Sequence, residues 1–246
     1  MNNGTLSIVI PAYNEAARIG ATLESIARYF TSHPASVEVI VVDDGSKDGT
    51  ADIARRHSSK IKNLKVLVNE KNSGKGFSVK RGMLAATGDY RLFMDADNSV
   101  DISHLDAFMQ ALSEGFDVAI GSIHITDTKD VSEHNGWHRR ILGASANMLV
   151  QLVAVPGIED TQRGFKLFSA KAADVIFPRQ TIERFGFDIE ILVIARKNGF
   201  KIQELPVVWD NPAGSKVTAA AYVQTLVELA RISWNRILGR YSPPAQ

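Results

Sequence analysis

Tyr90-Arg91-Leu92-Phe93-Met94-Asp95-Ala96-Asp97-Asn98-Ser99 decides the reading of this chain. Three apolar residues, Leu92 to Met94, stop at two carboxylates one residue apart. A short apolar run bounded by turn residues predicts a buried strand. In an open α/β sheet, ligands bind beyond the carboxyl ends of the strands, which is where Asp95 and Asp97 would lie. Residues i and i+2 of an extended segment point to the same side. Two carboxylates so placed repel, and a hard divalent cation relieves the repulsion. Mg²⁺ takes one or two carboxylates and leaves its other positions to water and phosphates. An isolated Asp-x-Asp is also a common polar turn, so the neighbouring segments must decide.

Upstream, the pattern repeats. Leu6 to Pro11 reads as a buried strand rich in β-branched residues. Asn14 is a candidate N-cap for a helix carrying Ile19, Leu23, Ile26, Ala27 and Phe30 at helical spacing. Val37 to Val42 is a second strand, running into Asp43-Asp44-Gly45-Ser46. Asp48-Gly49-Thr50 caps a short helix, and Leu64 to Val68 is a third strand. Asn72-Ser73-Gly74-Lys75-Gly76 opens a helix through Val79, Met83 and Ala85.

Downstream, the spacing predicts a helix near 103–113 and a strand at 118–121. A polar loop with His124 and His134 spans 122–137, and a helix covers 138–155. Asp160 to Phe168 is a compact segment, polar then apolar. A helix at 187–197, a strand at 202–208, a turn with a cation at 211–216 and an amphipathic helix at 219–240 follow. The expectation is an α/β protein with a Rossmann-like, mostly parallel central sheet and helices on both faces. It would be one domain over residues 1–241, with a flexible tail at 242–246. The residues that look chemical all follow strands and would converge at one sheet edge.

Composition narrows the function classes. The chain has 246 residues, 45% hydrophobic and 22% charged, ordinary for a folded α/β domain. Its net charge is +1, so no global field favours nucleic acid. It has no cysteine, which excludes disulfides and thiolate metal sites. The first residues do not read as a secretory signal, and no apolar run reaches the ~18 residues of a membrane span. A cytoplasmic protein is expected, peripheral on the cytoplasmic face of the membrane if its last helix binds there. A P-loop is ruled out because Asn69 stands where its first glycine belongs and Gly76 where Ser or Thr belongs. The dinucleotide fingerprint fails because Pro11 to Glu15 contains no glycine.

Four ordered motifs carry a resemblance. They are Ile10-Pro11-Ala12-Tyr13-Asn14-Glu15, Val42 to Thr50, Asn72 to Gly76, and Asp95-Ala96-Asp97. Together they resemble the signature of inverting family-2 glycosyltransferases of GT-A fold. The later Asp160 to Phe168 and Gly214-Ser215-Lys216 are similar to the polyprenyl-phosphate branch, which includes dolichyl-phosphate glucosyl- and mannosyltransferases. The resemblance implies an enzyme that moves a hexose, glucose before mannose, from a UDP- or GDP-sugar to a polyprenyl phosphate.

It also implies roles. Pro11, Tyr13 and Glu15 would line the nucleobase pocket, and Asp44 would accept a hydrogen bond from base or ribose. Lys75, at a helix start that favours anions, would bind the donor. Asp95 and Asp97 would hold Mg²⁺ or Mn²⁺ against the donor diphosphate, with Ser99 a further candidate ligand and Asn98 equally possible on chemistry. Arg139, Arg140, Arg163 and Lys166 are the cations available for an acceptor phosphate. Lys216 would close over the diphosphate. Asp160 sits where hydroxyl-using relatives place a general base, and it can instead orient Arg163 or the acceptor.

Rival readings stay open. One is a family-2 enzyme acting on a saccharide hydroxyl. Another is a non-catalytic nucleotide-sugar-binding protein, against which the retained Asp pair speaks. A nucleotidyltransferase would want a glycine-rich loop after the first strand. The last helix carries Leu226, Leu229, Ile232, Trp234, Ile237 and several arginines. It fits a membrane interface, a packed domain surface or an oligomer contact.

Overall fold

In a computed structural model, residues 4–123, 155–210 and 219–242 are described. The expected loop beyond Ile123, the helix at 138–155 and the turn at 211–216 therefore lie outside the described residues, with Arg139, Arg140 and Lys216. Strands and helices alternate through the first half: β1 (Leu6–Ala12), α1 (Ile19–Ser32), β2 (Val37–Asp43), α2 (Thr50–Arg56), β3 (Leu64–Val68), α3 (Lys75–Ala85), β4 (Tyr90–Met94) and α4 (Leu105–Ser113). Then come β5 (Val118–Ser122), β6 (Phe165–Ser169), α5 (Ala170–Arg179), α6 (Phe187–Lys197), β7 (Ile202–Pro206) and α7 (Ala219–Ile237).

The seven strands form one sheet in the order β3-β2-β1-β4-β6-β5-β7. β1 pairs in parallel with β2 on one side and β4 on the other. The strand order reverses between them, and such a switch point opens a crevice at the carboxyl ends of the strands. Only β6 runs against the rest, antiparallel to β4 and β5.

Alternation along the strands divides the core in two. Val9, Val42, Phe93 and Phe168 face α3, α5, α6 and α7. Ile8, Ile10, Val41, Leu92 and Met94 face α1, α2 and α4. Strands covered on both faces carry near-continuous apolar runs, which is why β1, β2 and β4 were legible. α1 buries Ile19, Leu23 and Ile26 on one stripe.

The structure departs from expectation in three places. Asn14 does not cap α1, which starts at Ile19. It takes a positive φ of 52° and fastens the β1 loop to the β2 loop, its N–H donating to Ser46 Oγ (2.8 Å) and its Oδ1 accepting from Lys47 N–H (2.9 Å). The second half of the 160–168 segment is the antiparallel strand β6. It leads directly into α5, a helix that the apolar spacing had not signalled, capped by Ser169 accepting from Ala172 N–H. Of the readings left open for the last helix, the structure shows α7 packed on the domain. Leu229 and Ile232 are buried, Glu228 accepts from Gly186 N–H (2.7 Å), and Tyr241 beyond it donates to Glu190 (2.7 Å).

Candidate active site

A cleft of about 780 Å³ opens at the carboxyl edge of the sheet. Pro11 lines it from the end of β1, Tyr13 and Glu15 from the loop that follows, Asp44 from just after β2, Lys75 from the start of α3, and Asp95, Asp97 and Ser99 from the loop after β4. Residues more than eighty positions apart in sequence thus meet because parallel strands all end at one edge. Arg163 joins them from the segment before β6.

Asp95 and Asp97 do not sit on an extended strand as expected. β4 ends at Met94, and the chain turns through Ala96 and Asp97. Both carboxylates still border the cleft, 27% and 25% exposed. Asp97 Oδ1 accepts from Ser99 N–H (3.0 Å), and Arg18 Nη1 stands 3.8 Å from its Oδ2. Lys75 Nζ lies 2.6 Å from Asp95 Oδ1. Gly164 closes over Asp95: its carbonyl accepts from Asp95 N–H (3.0 Å), and a Cβ there would meet Asp95 Oδ2 at 2.0 Å.

The donor set suits a hard divalent cation. Two carboxylates face one cleft with lone pairs to spare, and the neighbouring Asn98 carries a buried Oδ1 without a hydrogen-bond partner. Among the described residues no cluster of three or more His, Asp or Glu side chains offers a full protein cage. That leaves positions for diphosphate oxygens, as Mg²⁺ sites commonly do.

Asp44 holds the glycine-containing loop. Its Oδ1 accepts from Asn69 Nδ2 (2.7 Å) and Ser73 N–H (2.9 Å), and its Oδ2 from Gly74 N–H (2.8 Å). One lone pair on Oδ2 remains for a ligand. Gly74 has φ +112°, and a Cβ there would lie 2.3 Å from Glu183 O, so only glycine lets α3 start this close to the neighbouring loop. Asp43, one residue earlier, is buried and bonded to Ser46 Oγ and N–H.

Lys75 is electrostatically committed. Burial works against its ammonium, but the charges of Asp95, Asp188 and Asp97 outweigh burial and hold its pKa above the ordinary lysine value. Glu15 is bound in a fork by Arg18, whose Nε and Nη2 reach it at 2.6 and 2.7 Å.

Two of the expected residues stand elsewhere. Lys166 is a correction: it is fully buried and is not an acceptor-facing cation. Strand alternation on β6 turns Phe165 and Leu167 to one face and Lys166 and Phe168 to the other, against α6. There its ammonium donates to Asp188 Oδ1 (2.5 Å) and Arg163 O (2.5 Å), beneath the Phe93 ring. Burial pushes Lys166 below and Asp188 above their ordinary pKa values, against their mutual attraction. Asp160 is the other: it is not among the residues lining the cleft and instead contacts Arg163, the second role expected of it. Its carboxylate, 7% exposed, lies behind the cleft wall, with Oδ2 accepting from Arg163 Nε (2.7 Å). The guanidinium of Arg163 is held 4.5 Å from the Trp209 ring.

Arg18, Gln162, Arg184, Phe185 and Trp209 also line the cleft and were not anticipated. Trp209 was within reach: β7 runs parallel to β5, so the residues after it share the same carboxyl edge. Arg184 and Phe185 carry no such signal, since they precede a helix and reach the cleft through the packing of their loop on Asn72, Gly74 and Gly76.

Comparisons with known proteins follow this geometry. The model of glycosyl transferase family 2 matches residues 7–177. The dolichyl-phosphate beta-glucosyltransferase of Dictyostelium discoideum is 35% identical over 97% of this chain and 77% of its own length. The human enzyme of that name is 33% identical over 86% of this chain and 69% of its own. Among solved structures, mannosyl-3-phosphoglycerate synthase from Rubrobacter xylanophilus superposes with a TM-score of 0.71 at 18% identity, over 99% of this chain and 77% of that one. Glucosyl-3-phosphoglycerate synthase from Mycobacterium tuberculosis, solved with Mn²⁺, uridine diphosphate and product, gives 0.66 at 20% identity, over 99% and 82%. These two share the GT-A fold with this chain. A family match over more than half of the sequence, with relatives above 30% identity across most of their length, settles the class: the chain is a glycosyltransferase and belongs to glycosyl transferase family 2.

Proposed function

We propose that the protein transfers glucose from a nucleoside-diphosphate glucose, UDP before GDP, to the phosphate of a polyprenyl phosphate, with inversion at the sugar carbon. The relatives bearing the name dolichyl-phosphate beta-glucosyltransferase support the sugar and the acceptor class. The observation that carries the reading is the state of Asp160. The resemblance offers Asp160 as the base that a hydroxyl acceptor would need, and this carboxylate is already engaged by Arg163. A hydroxyl must lose its proton to attack, whereas a phosphate monoester is ionised near neutral pH and needs no base. A cleft with Arg163 and Arg184 on its wall, and without Asp160 among its lining residues, suits the second nucleophile.

In this reading Pro11 and Tyr13 flank the base, and Glu15 is kept in place by Arg18. Asp44 accepts from base or ribose through its remaining lone pair. Asp95 and Asp97, with Ser99 or Asn98 beside them, would hold a divalent cation, Mg²⁺ or Mn²⁺; bound there, it would neutralise charge on the departing diphosphate. Lys75 adds a cation at the same end. Arg163, braced by Asp160 and Trp209, orients the acceptor phosphate. An acceptor oxygen forms the new bond to C1 as the bond from C1 to the diphosphate oxygen breaks, and the leaving group takes the electron pair. Arg139, Arg140 and Lys216 remain proposals of the same kind, as acceptor cations and as closure over the diphosphate.

The test is release of nucleoside diphosphate from UDP-glucose with Mg²⁺, with and without a short polyprenyl phosphate. Lipid-phosphate-dependent release that stops with EDTA is expected. Tight nucleotide binding with release driven instead by a saccharide hydroxyl would replace the acceptor assignment.

A further inference from the structure

We propose that Arg184 binds the diphosphate of the nucleotide-sugar donor. Four cations of the described residues line the cleft: Arg18, Lys75, Arg163 and Arg184. Three are met by carboxylates, Arg18 by Glu15 and more distantly by Asp97, Lys75 by Asp95, and Arg163 by Asp160. Among the described residues Arg184 meets no carboxylate, and its Nη1 donates to the amide oxygen of Asn72 (3.3 Å). That bond leaves most of its N–H donors to the cleft. The guanidinium fork matches two oxygens of a phosphate.

The loop that carries Arg184 is held by buried groups. Gln180 Nε2 donates to Gly76 O (2.8 Å) and Ile182 O (2.9 Å). The carboxylate of Glu190 accepts from Thr181 N–H (2.9 Å), Ile182 N–H (2.7 Å), Thr181 Oγ1 (2.7 Å) and the Tyr241 hydroxyl (2.7 Å). Glu183 O accepts from Phe77 N–H in the first turn of α3 (3.0 Å), and Glu228 accepts from Gly186 N–H (2.7 Å). Backbone ties at Thr181, Ile182, Glu183 and Gly186 thus bracket Arg184. Its guanidinium is presented to the cleft without the cost of ordering a loose loop on binding.

Place selects the phosphate. Asn72 and Gly74 belong to the loop after β3, whose Ser73 and Gly74 N–H groups Asp44 holds. A Cβ at Gly74 would stand 3.4 Å from Arg184 Cδ, so the stem of the arginine lies across that loop, next to the start of α3 at Lys75. Arg163 stands toward the other end of the cleft, on Trp209 after β7, and β3 and β7 are the opposite edges of the sheet. A donor reaching from Asp44 to Asp95 and Asp97 would pass Arg184 and Lys75 with its diphosphate, which leaves the acceptor phosphate to Arg163. This assignment rests on the proposed donor and on its order along the cleft.

The test is calorimetric titration of the full chain with UDP and with GDP, Mg²⁺ present throughout, and with uridine by displacement of UDP. Arg184→Gln should weaken both diphosphates by about tenfold or more, the scale of a charge-assisted hydrogen bond. Uridine, which has no phosphate, should bind the variant as it binds the parent, which also shows an intact fold. Arg184→Lys keeps the charge without the fork and should recover part of the loss. The KM for a short prenyl phosphate should not move. Equal UDP affinity of the parent and Arg184→Gln would overturn the proposal. So would an equal loss for uridine, or a raised KM for the prenyl phosphate with nucleotide affinity intact, which would give Arg184 to the acceptor. A parent that bound neither UDP nor GDP would remove the donor reading and the proposal with it, whereas a parent that binds them as tightly as its Arg184→Gln variant would remove the proposal alone.

Discussion

The Lys75 ammonium and the Asp95 carboxylate meet at 2.6 Å, joining the first residue of α3 to the first residue after β4. The pair joins the α3 side of the cleft to the loop after β4. Lys75→Gln keeps the length of the side chain and removes the charge. We expect kcat to fall about a hundredfold, the scale for losing one preorganised electrostatic contact, with a raised KM for the nucleotide sugar. Steady-state kinetics against the donor, with a melting curve to show retained fold, check this.

Asp97→Asn should abolish measurable turnover without unfolding the protein, because the side chain is a quarter exposed and its bond to Ser99 N–H survives the change. Calorimetric titration with Mn²⁺ in the presence of nucleoside diphosphate should show the parent binding metal and the variant not. Full activity of the variant in metal-stripped buffer would remove the metal assignment.

Gly164→Ala places a methyl group where the Asp95 carboxylate now is, 2.0 Å from Oδ2. Asp95 borders open cleft and can swing aside, so stability should fall by only about 1 kcal/mol. Activity should fall about a hundredfold, as for a reacting group moved by about 1 Å. Urea unfolding and turnover, measured on the same preparation, separate the two effects.

Lys166→Met removes the hydrogen-bonded cation from the buried Asp188 and leaves it only the charge of Lys75 nearby, and should cost roughly 3–5 kcal/mol. Adding Asp188→Leu should recover most of that loss, because a buried ion pair replaced by apolar groups is often near neutral. A double-mutant cycle by chemical denaturation tests it. If Lys166→Met instead left stability unchanged and weakened only the acceptor, the corrected placement of Lys166 would fail.

Glu38 gives a pH signature. Its partial burial opposes the charge, but donation from Ser7 Oγ (2.5 Å), Thr87 N–H (2.6 Å) and Lys65 Nζ (2.9 Å) carries its pKa down to about 2 from 4.5. A depressed carboxylate stabilises the fold fully above its unfolded pKa and loses that stability as pH falls from about 4.5 to about 2. Glu38→Gln should therefore cost roughly 2–3 kcal/mol at pH 7 and nothing near pH 2. Unfolding free energies of both proteins across that range check the sign.

Much of the fold was readable because its strands are covered on both faces. Runs such as Ile8 to Ile10 and Leu92 to Met94 have to be apolar throughout, and the residues that follow them have to turn at one edge. Local sequence therefore determined β1 to β5, α1 to α4, and the convergence of Tyr13, Asp44, Lys75, Asp95 and Asp97. α5 went unread because its start is set by Ser169 leaving β6, and β6 itself was hidden by a lysine at a core position.

What only the tertiary structure decided were the uses of charges. Lys166, Arg163 and Asp160 lie within seven residues of one another and look alike as polar loop groups. Antiparallel pairing of β6 with β4 buries the first against Asp188, while the turn before β6 sets Arg163 on Trp209 and spends Asp160 on holding it. Likewise α7 is amphipathic by sequence on more than one reckoning. Packing of Leu229 and Ile232 against the domain consumed one face and left Trp234 and Ile237 to the outside. Sequence periodicity fixes which residues share a face; only the partner supplied by the rest of the chain determines which face is covered.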